Sequence, residues 1–191
     1  MKFLRVPKVL QGEPAHRPFL RPEQILAQAN LKPGERVVDL GSGSGFFTLP
    51  AAKLVAPKGG RVFAVDSNLE LLSKLQKAAQ EQGIRGIEPL GVDFAALPTH
   101  INEPIDLVVL ARVLSRVADV GVPLRVAAEL TKLGGRVLVV EWRPERVHFD
   151  ESCDSIDLEK VMKFADEAGL SLDVELDGGW YHYAVLLKNK S

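Results

Sequence analysis

Hydrophobic positions along this chain follow two rhythms in turn. Short apolar runs such as "VVDL" at 37–40, "RVFAV" at 61–65, "IDLVVLA" at 105–111 and "RVLVVEW" at 136–142 read as strands buried on both faces. Between them, apolar residues recur every three or four positions and predict helices. "RPEQILAQANL" is a short helix with Pro22 in its first turn, and Phe46 to Ala56 is the next. "SNLE" predicts a capping box in which Ser67 caps a third helix, Glu70 reaches back, and Gly83 ends it. "GIEPLGVD" is a strand, and the Pro-containing segment 94–104 leads into 105–111. "VPLRVAAELTKL" is an amphipathic helix ending at Gly134 and Gly135; a last helix, Ile156 to Ala168, stops at Gly169. "LSLDVEL" and "WYHYAVLLK" close the chain, separated by "DGG", a hairpin signal. Strands alternating with helices imply a parallel sheet covered on both faces, with an antiparallel edge added by the hairpin. This is a single α/β layer sandwich without a second domain or internal repeats. Residues 1–21 lack periodicity and read as an arm packed across it.

Composition narrows the picture without redirecting it. The 191 residues are 46% hydrophobic and 26% charged, with a net charge of −1, so no global field favours nucleic acid or an anionic membrane. The first 21 residues are locally basic, with Lys2, Arg5, Lys8, Arg17 and Arg21 against Glu13, and read as a solvated arm or an electropositive substrate lid. A single cysteine, Cys153, excludes an intramolecular disulfide and a thiolate metal cluster. No apolar run reaches the roughly 18 residues of a spanning helix, and the N-terminal stretch is a poor signal peptide. The expectation is a soluble, cytoplasmic protein.

The candidate chemistry sits where "VVDL" breaks into "GSGSG". Gly41, Gly43 and Gly45 can adopt positive φ and let a ligand approach the backbone, and the following helix offers unpaired N–H groups. No lysine follows the glycines, which excludes a P-loop, and Phe46 stands where the dinucleotide fingerprint needs its last glycine. Asp39 is also badly placed for a pyrophosphate, since like charges repel. S-adenosylmethionine fits better. A carboxylate at Asp39 can meet its ammonium, directly or through water, and the bend can take the rest of the methionyl tail. Asp66 ends the second strand, 25 residues after Gly41, where a carboxylate can accept from both ribose hydroxyls. Asp93 and Phe94, at the end of the third strand, suit an adenine amino group and base.

These segments, "VVDLGSGSGFFT", "VFAVDSN", "GVDF", "IDLVVLARVL" and "LGGRVLVVEW", resemble in order and spacing the class I S-adenosylmethionine-dependent methyltransferases, over about residues 24–188. The resemblance implies a Rossmann-like three-layer sandwich: a seven-stranded, mostly parallel sheet of order 3-2-1-4-5-7-6 with the last strand antiparallel. Together with the unperiodic first 21 residues, it divides the chain into an arm or lid, 1–21, and a cofactor-binding methyltransferase domain, 22–191. It implies that Asp39, Gly41, Ser42, Gly43, Ser44 and Gly45 line the methionine part. Asp66, with Ser67 and Asn68 beside it, would hold the ribose, and Asp93 and Phe94 would flank the adenine. Ala111 and Arg112 would face the sulfonium and the acceptor. Within the family the chain is similar to the small ubiquinone/menaquinone C-methyltransferases, but "LARVLSR" lacks the histidine those often carry after the fourth strand. The amino-methylating Asn/Asp-Pro-Pro-Tyr motif and the acids of metal-dependent members are absent too.

Methyl transfer from a sulfonium is an in-line displacement that positioning and water exclusion largely suffice to promote. A general base is needed only where the acceptor must lose a proton. Acceptor-side candidates are Arg112, Arg116, Glu141 and Arg143, whose arginines would suit an anionic acceptor. The candidate bases are His16 and His148; His100 and His182 are set aside, His182 because it falls within the last strand. Trp142, Trp180 and Tyr181 read as packing at the sheet edge. No residues have metal-ligand spacing, so no metal is expected. The expected partner is a small-molecule methyl acceptor, with neither nucleic acid nor membrane and with the oligomeric state open. The alternatives are an RNA methyltransferase or a non-catalytic S-adenosylmethionine-binding subunit.

Overall fold

A computed structural model describes residues 19–146 and 154–190. His16, His148, Cys153 and the arm up to residue 18 lie outside the described residues. Among the described residues the elements are α1 (Pro22–Gln28), β1 (Arg36–Leu40), α2 (Thr48–Val55), β2 (Arg61–Val65), α3 (Leu69–Glu81), β3 (Ile87–Leu90), β4 (Ile105–Ala111), α4 (Gly121–Leu130), β5 (Thr131–Trp142), α5 (Leu158–Glu167), β6 (Leu170–Leu176) and β7 (His182–Asn189). The seven strands form one sheet in the expected order, β3-β2-β1-β4-β5-β7-β6. β1 pairs in parallel with both β2 and β4, and β7 runs antiparallel to β5 and β6.

Period-two alternation sorts the strand residues between two cores. Val38, Leu40, Val108 and Leu110 face α4 and α5, where Leu124, Ala127, Val161 and Ala165 meet them. Val37, Val62, Leu107 and Val109 face α1 and α2, packing on Ile25, Leu26, Ala51 and Ala52. Both faces being covered explains why the parallel strands read as unbroken apolar runs. α3 rests on Ala64 of β2 through Leu72 and Leu75.

Strand order reverses beside β1. The chain steps outward through β2 and β3, then returns to place β4 on the other side of β1. The loops leaving β1 and β4 therefore diverge to opposite faces and open a crevice at their carboxyl ends. At the opposite flank, antiparallel β7 brings its first residue, His182, level with Trp142 at the end of β5. The carboxyl edge of the sheet thus carries the start of β7 as well.

Several boundaries differ from the sequence expectation. α2 starts at Thr48 rather than Phe46, because the turns of the glycine run continue through Phe47. α3 is capped by Asn68 instead of Ser67: the Asn68 side-chain oxygen accepts from Glu70 N at 3.0 Å and Leu71 N at 3.3 Å. Two adjacent residues could each cap, and the better acceptor at that register wins. α4 ends at Leu130, four residues short of Gly134. Thr131 is already extended, and its hydroxyl turns back to donate to Ala127 O at 2.5 Å. The "TKLGG" stretch then loops out of register: between two matched pairs, Ile105 to Leu107 of β4 is opposite Thr131 to Arg136 of β5, with Gly134 at φ +73°.

Candidate functional site

The bend after β1 makes the floor of the crevice. Gly41 has φ +72°, Gly43 +54° and Gly45 +97°, backbone that L side chains rarely adopt. A Cβ at Gly41 would meet Val113 Cγ2 at 2.7 Å, so glycine lets the segment after β4 lie across the bend. At Gly43 nothing lies within 4 Å of where a side chain would begin. The bend is held open there by Asp66, whose Oδ2 accepts from Gly43 N at 2.9 Å while its Oδ1 accepts from Asn68 N at 2.8 Å. Each carboxylate oxygen keeps a second lone pair, so Asp66 can still take two hydroxyl donors.

Asp39 stands behind the glycines, 3% exposed, and accepts from Thr48 Oγ1 at 2.6 Å. Thr48 is the first residue of α2, and its backbone N–H also bonds to Asp39, so the strand carboxylate closes the helix N-terminus. Burial nevertheless dominates. It pushes the Asp39 carboxyl up from 3.8 to about 7, with the charge of Asp66 adding to the rise and the Thr48 hydrogen bonds opposing it. Two acids therefore converge on one end of the crevice, and one of them is only partly ionised near neutral pH.

A cavity of about 240 Å³ fills this corner, lined by Asp39, Gly41, Ser42, Gly43, Ser44, Phe46, Phe47, Asp66, Leu71, Ala111, Arg112 and Arg116. Ser42 is 6% exposed and its hydroxyl has no hydrogen-bond partner. A buried hydroxyl on a cavity wall, open space above Gly43 and a pair of carboxylates fit a polar ligand with a cationic end, such as S-adenosylmethionine. The opposite end is basic. Arg112 adopts φ +57°, a strained conformation for a non-glycine residue, and its guanidinium lies 5.9 Å from the centroid of the Phe46 ring. Phe46 is 48% exposed, the largest apolar surface at the cavity mouth.

Of the candidates read from sequence, the cavity brings together Asp39, Gly41, Ser42, Gly43, Ser44, Asp66, Ala111, Arg112 and Arg116. Gly45 lies beside it, where any side chain would overlap Leu75 of α3. Ser67 and Asn68 are exposed on the α3 turn, the Asn68 oxygen engaged as the helix cap. β3 ends at Leu90, so Asp93 falls beyond it; Asp93 caps the turn 94–99 through Ala95 N at 3.0 Å, and Phe94 packs on the α4–α5 core. Neither lines the cavity.

Glu141 is fully buried and tied to the β4 exit loop, accepting from Leu114 N at 2.7 Å and Ser115 Oγ at 2.9 Å. Burial pushes its carboxyl upward. Arg143 donates from Nε to His182 O at 2.9 Å. Sequence reasoning missed Phe46, Phe47 and Leu71 as cavity residues and Thr48 as the partner of Asp39. The signal for Phe46 was present, as a large aromatic in place of a third motif glycine. No group of His, Cys, Asp and Glu among the described residues could hold a metal ion, and no helix among them is long and apolar enough to cross a membrane.

Comparison with known proteins identifies the family. A family described as "Methyltransferase domain" matches residues 31–171. A ubiquinone/menaquinone biosynthesis C-methyltransferase UbiE from Pseudoalteromonas translucida is 31% identical over 73% of this chain and 55% of its own length. The chain spans about half the length of the first curated relatives it matches. Among solved structures, a SAM-dependent methyltransferase from Aquifex aeolicus superposes with a TM-score of 0.78 over 90% of both chains at 20% identity. The [4+2]-cyclase SpnF shares the fold too, with a TM-score of 0.71 at 12% identity over 88% of this chain and 79% of its own. The fold thus hosts more than one chemistry, and the family assignment rests on the sequence match together with the glycine bend and its acids. The chain belongs to the class I S-adenosylmethionine-dependent methyltransferase family.

Proposed function

We propose that this protein transfers a methyl group from S-adenosylmethionine to a small-molecule acceptor. The observation that carries the reading is the pair of carboxylates, Asp39 and Asp66, converging on a bend whose backbone is open to a ligand. Their mutual repulsion is relieved by a cation, and a ligand with an ammonium group and ribose hydroxyls supplies both a cation and hydroxyl donors. When bound, that ligand supplies an activated methyl group on sulfur. The chain's own task is to orient it. The Ser42 hydroxyl and the open space above Gly43 receive the amino-acid tail, and Asp66 receives the ribose. Phe46 and Phe47 exclude water from the mouth, and Ala111 and Arg112 border the space from which an acceptor would approach. Likeness to the ubiquinone/menaquinone C-methyltransferases supports a small-molecule acceptor, and Arg112 and Arg116 on the same cavity favour one that carries negative charge.

The test is a screen of small organic acids and phenols with methyl-labelled S-adenosylmethionine, read by mass. At least one acceptor is expected to gain a single labelled methyl. Tight S-adenosylhomocysteine binding with no turnover on any acceptor would favour a non-catalytic cofactor-binding subunit instead.

A further inference from the structure

Glu141 is fully buried near the carboxyl end of β5 and does not line the cofactor cavity. Both of its oxygens are taken by one short segment. Oε1 accepts from Leu114 N at 2.7 Å and from Ser115 N at 3.4 Å, and Oε2 accepts from Ser115 Oγ at 2.9 Å. The preceding residue of β5 adds a further bond, since Val140 O accepts from Arg112 N at 2.8 Å. Two consecutive residues of β5 therefore fasten the stretch from Arg112 to Ser115. Tyr183, which pairs with Glu141 across β7, gives its only hydroxyl proton to Ile156 O at 3.0 Å, so it is no proton partner for the carboxylate.

The fastened stretch is strained and forms part of the cavity wall. Arg112 has φ +57°, a conformation that residues other than glycine keep only where their surroundings hold them. Ala111, Arg112 and Arg116 line the cavity together with Asp39 and Asp66. Val113 lies so close over Gly41 that a Cβ there would meet its Cγ2 at 2.7 Å. Leu114 is buried in the core under α4 and α5. This part of the wall is a loop whose backbone would relax without a partner, and that partner is a carboxylate buried at a cost in solvation. A buried acid whose hydrogen bonds run to one ligand-facing loop, and not into the cavity, serves placement and not proton transfer.

We propose that Glu141 is a positioning residue: by holding Leu114 and Ser115 it fixes the 111–116 loop against the glycine bend and so presets Arg112 and Arg116 on the cavity wall. What the loop requires is reach and hydrogen-bond acceptance, not charge. A glutamine at this position keeps an oxygen for the Leu114 and Ser115 amides and offers an N–H to the Ser115 hydroxyl, which then acts as acceptor. An aspartate keeps the charge but draws its oxygens back by about 1.5 Å, one carbon–carbon bond, and lets go of the Leu114 amide. The inference rests on the cavity being the S-adenosylmethionine site, because the loop acts on the ligand that the cavity holds.

The test reads two quantities in the full chain and in its Glu141→Asp and Glu141→Gln variants. The first is the Arg112 side-chain Nε–H resonance of the ligand-free protein. The Phe46 ring, 5.9 Å from that guanidinium, displaces it, and Phe46→Leu assigns it. The second is the affinity for S-adenosylhomocysteine, measured by calorimetry. With the loop in place only about a tenth of the time in Glu141→Asp, affinity falls about tenfold and the resonance moves to that of a solvated arginine. Glu141→Gln should keep the resonance and bind within about twofold of the unsubstituted chain. A residue that merely stabilised the core would shift the melting temperature and move neither reading. Ser115→Ala removes the Oε2 bond alone; it should weaken binding by roughly two- to threefold, and it stands in if Glu141→Asp does not fold. An unchanged affinity or an unmoved resonance in Glu141→Asp, or in Ser115→Ala as its stand-in, overturns the proposal, as does a Glu141→Gln variant impaired as much as Glu141→Asp. Failure of S-adenosylhomocysteine to bind the unsubstituted chain would instead strike the transferase reading, and the ligand-free resonance would still decide this one.

Discussion

Asp39→Asn is expected to make the ligand-free protein more stable at pH 8 and to change it little at pH 4. Burial holds the Asp39 carboxyl at about 7 in the folded protein against 3.8 when exposed. Well below pH 3.8 both states are protonated and the group contributes nothing. As pH rises from 4 to 7 the unfolded chain ionises Asp39 while the folded chain does not, so stability falls across that window and stays lowered above it. At about 1.4 kcal/mol per pKa unit the loss is on the order of 4 kcal/mol. Asparagine keeps an acceptor for Thr48 and removes the charge, so the variant should escape that loss. For a domain of this size the gain corresponds to roughly 10 °C in melting temperature at pH 8. Thermal denaturation of both proteins at pH 4, 6 and 8 checks it; parallel pH profiles would remove Asp39 as the cause. The same ionisation makes ligand binding pH-linked. A cationic ligand favours the charged carboxylate, so binding near pH 6.5 should release a proton from the unsubstituted protein and none from Asp39→Asn. Calorimetry in buffers of differing ionisation enthalpy reads that proton directly.

Asp66→Ala is expected to weaken S-adenosylhomocysteine binding by about 1.5–3 kcal/mol, between tenfold and somewhat over a hundredfold, as for loss of hydrogen bonds to a charged group. Two causes combine. The ribose loses its acceptor, and Gly43 loses the partner that fixes the open bend. Asp66→Asn separates them, because its single oxygen can hold Gly43 N–H while offering one acceptor fewer to the ribose. An affinity for Asp66→Ala equal to that of the unsubstituted chain would take Asp66 out of the site.

Local chemistry made the core of this arrangement legible in the sequence. Val37, Val38 and Leu40 announce a doubly buried strand, three alternating glycines announce a bend with positive φ, and Asp39 and Asp66 both fall on the cavity beside that bend. The hidden parts depend on pairing over long distances or on competition between neighbours. Ser67 and Asn68 are both good caps, and only the helix register selects Asn68. Leu90 pairs with Val65, the last residue of β2, so β3 stops there and Asp93 caps the turn that follows. Glu141 lies at the expected end of β5, but alternation directs it to the Leu114 and Ser115 amides, away from the face of Trp142. His182 looked interior because a strand's direction and partner are not written in its own residues. Only its pairing with Trp142 places it level with the end of β5.

The central claim is that the bend after β1, with Asp39 and Asp66, is built for a cationic nucleoside amino acid and not for a pyrophosphate. The most direct measurement titrates S-adenosylhomocysteine and NAD separately into the ligand-free protein by calorimetry. The account predicts one site per chain for S-adenosylhomocysteine with micromolar or tighter affinity, and no measurable heat from NAD. Saturable binding of NAD with silence from S-adenosylhomocysteine would contradict it.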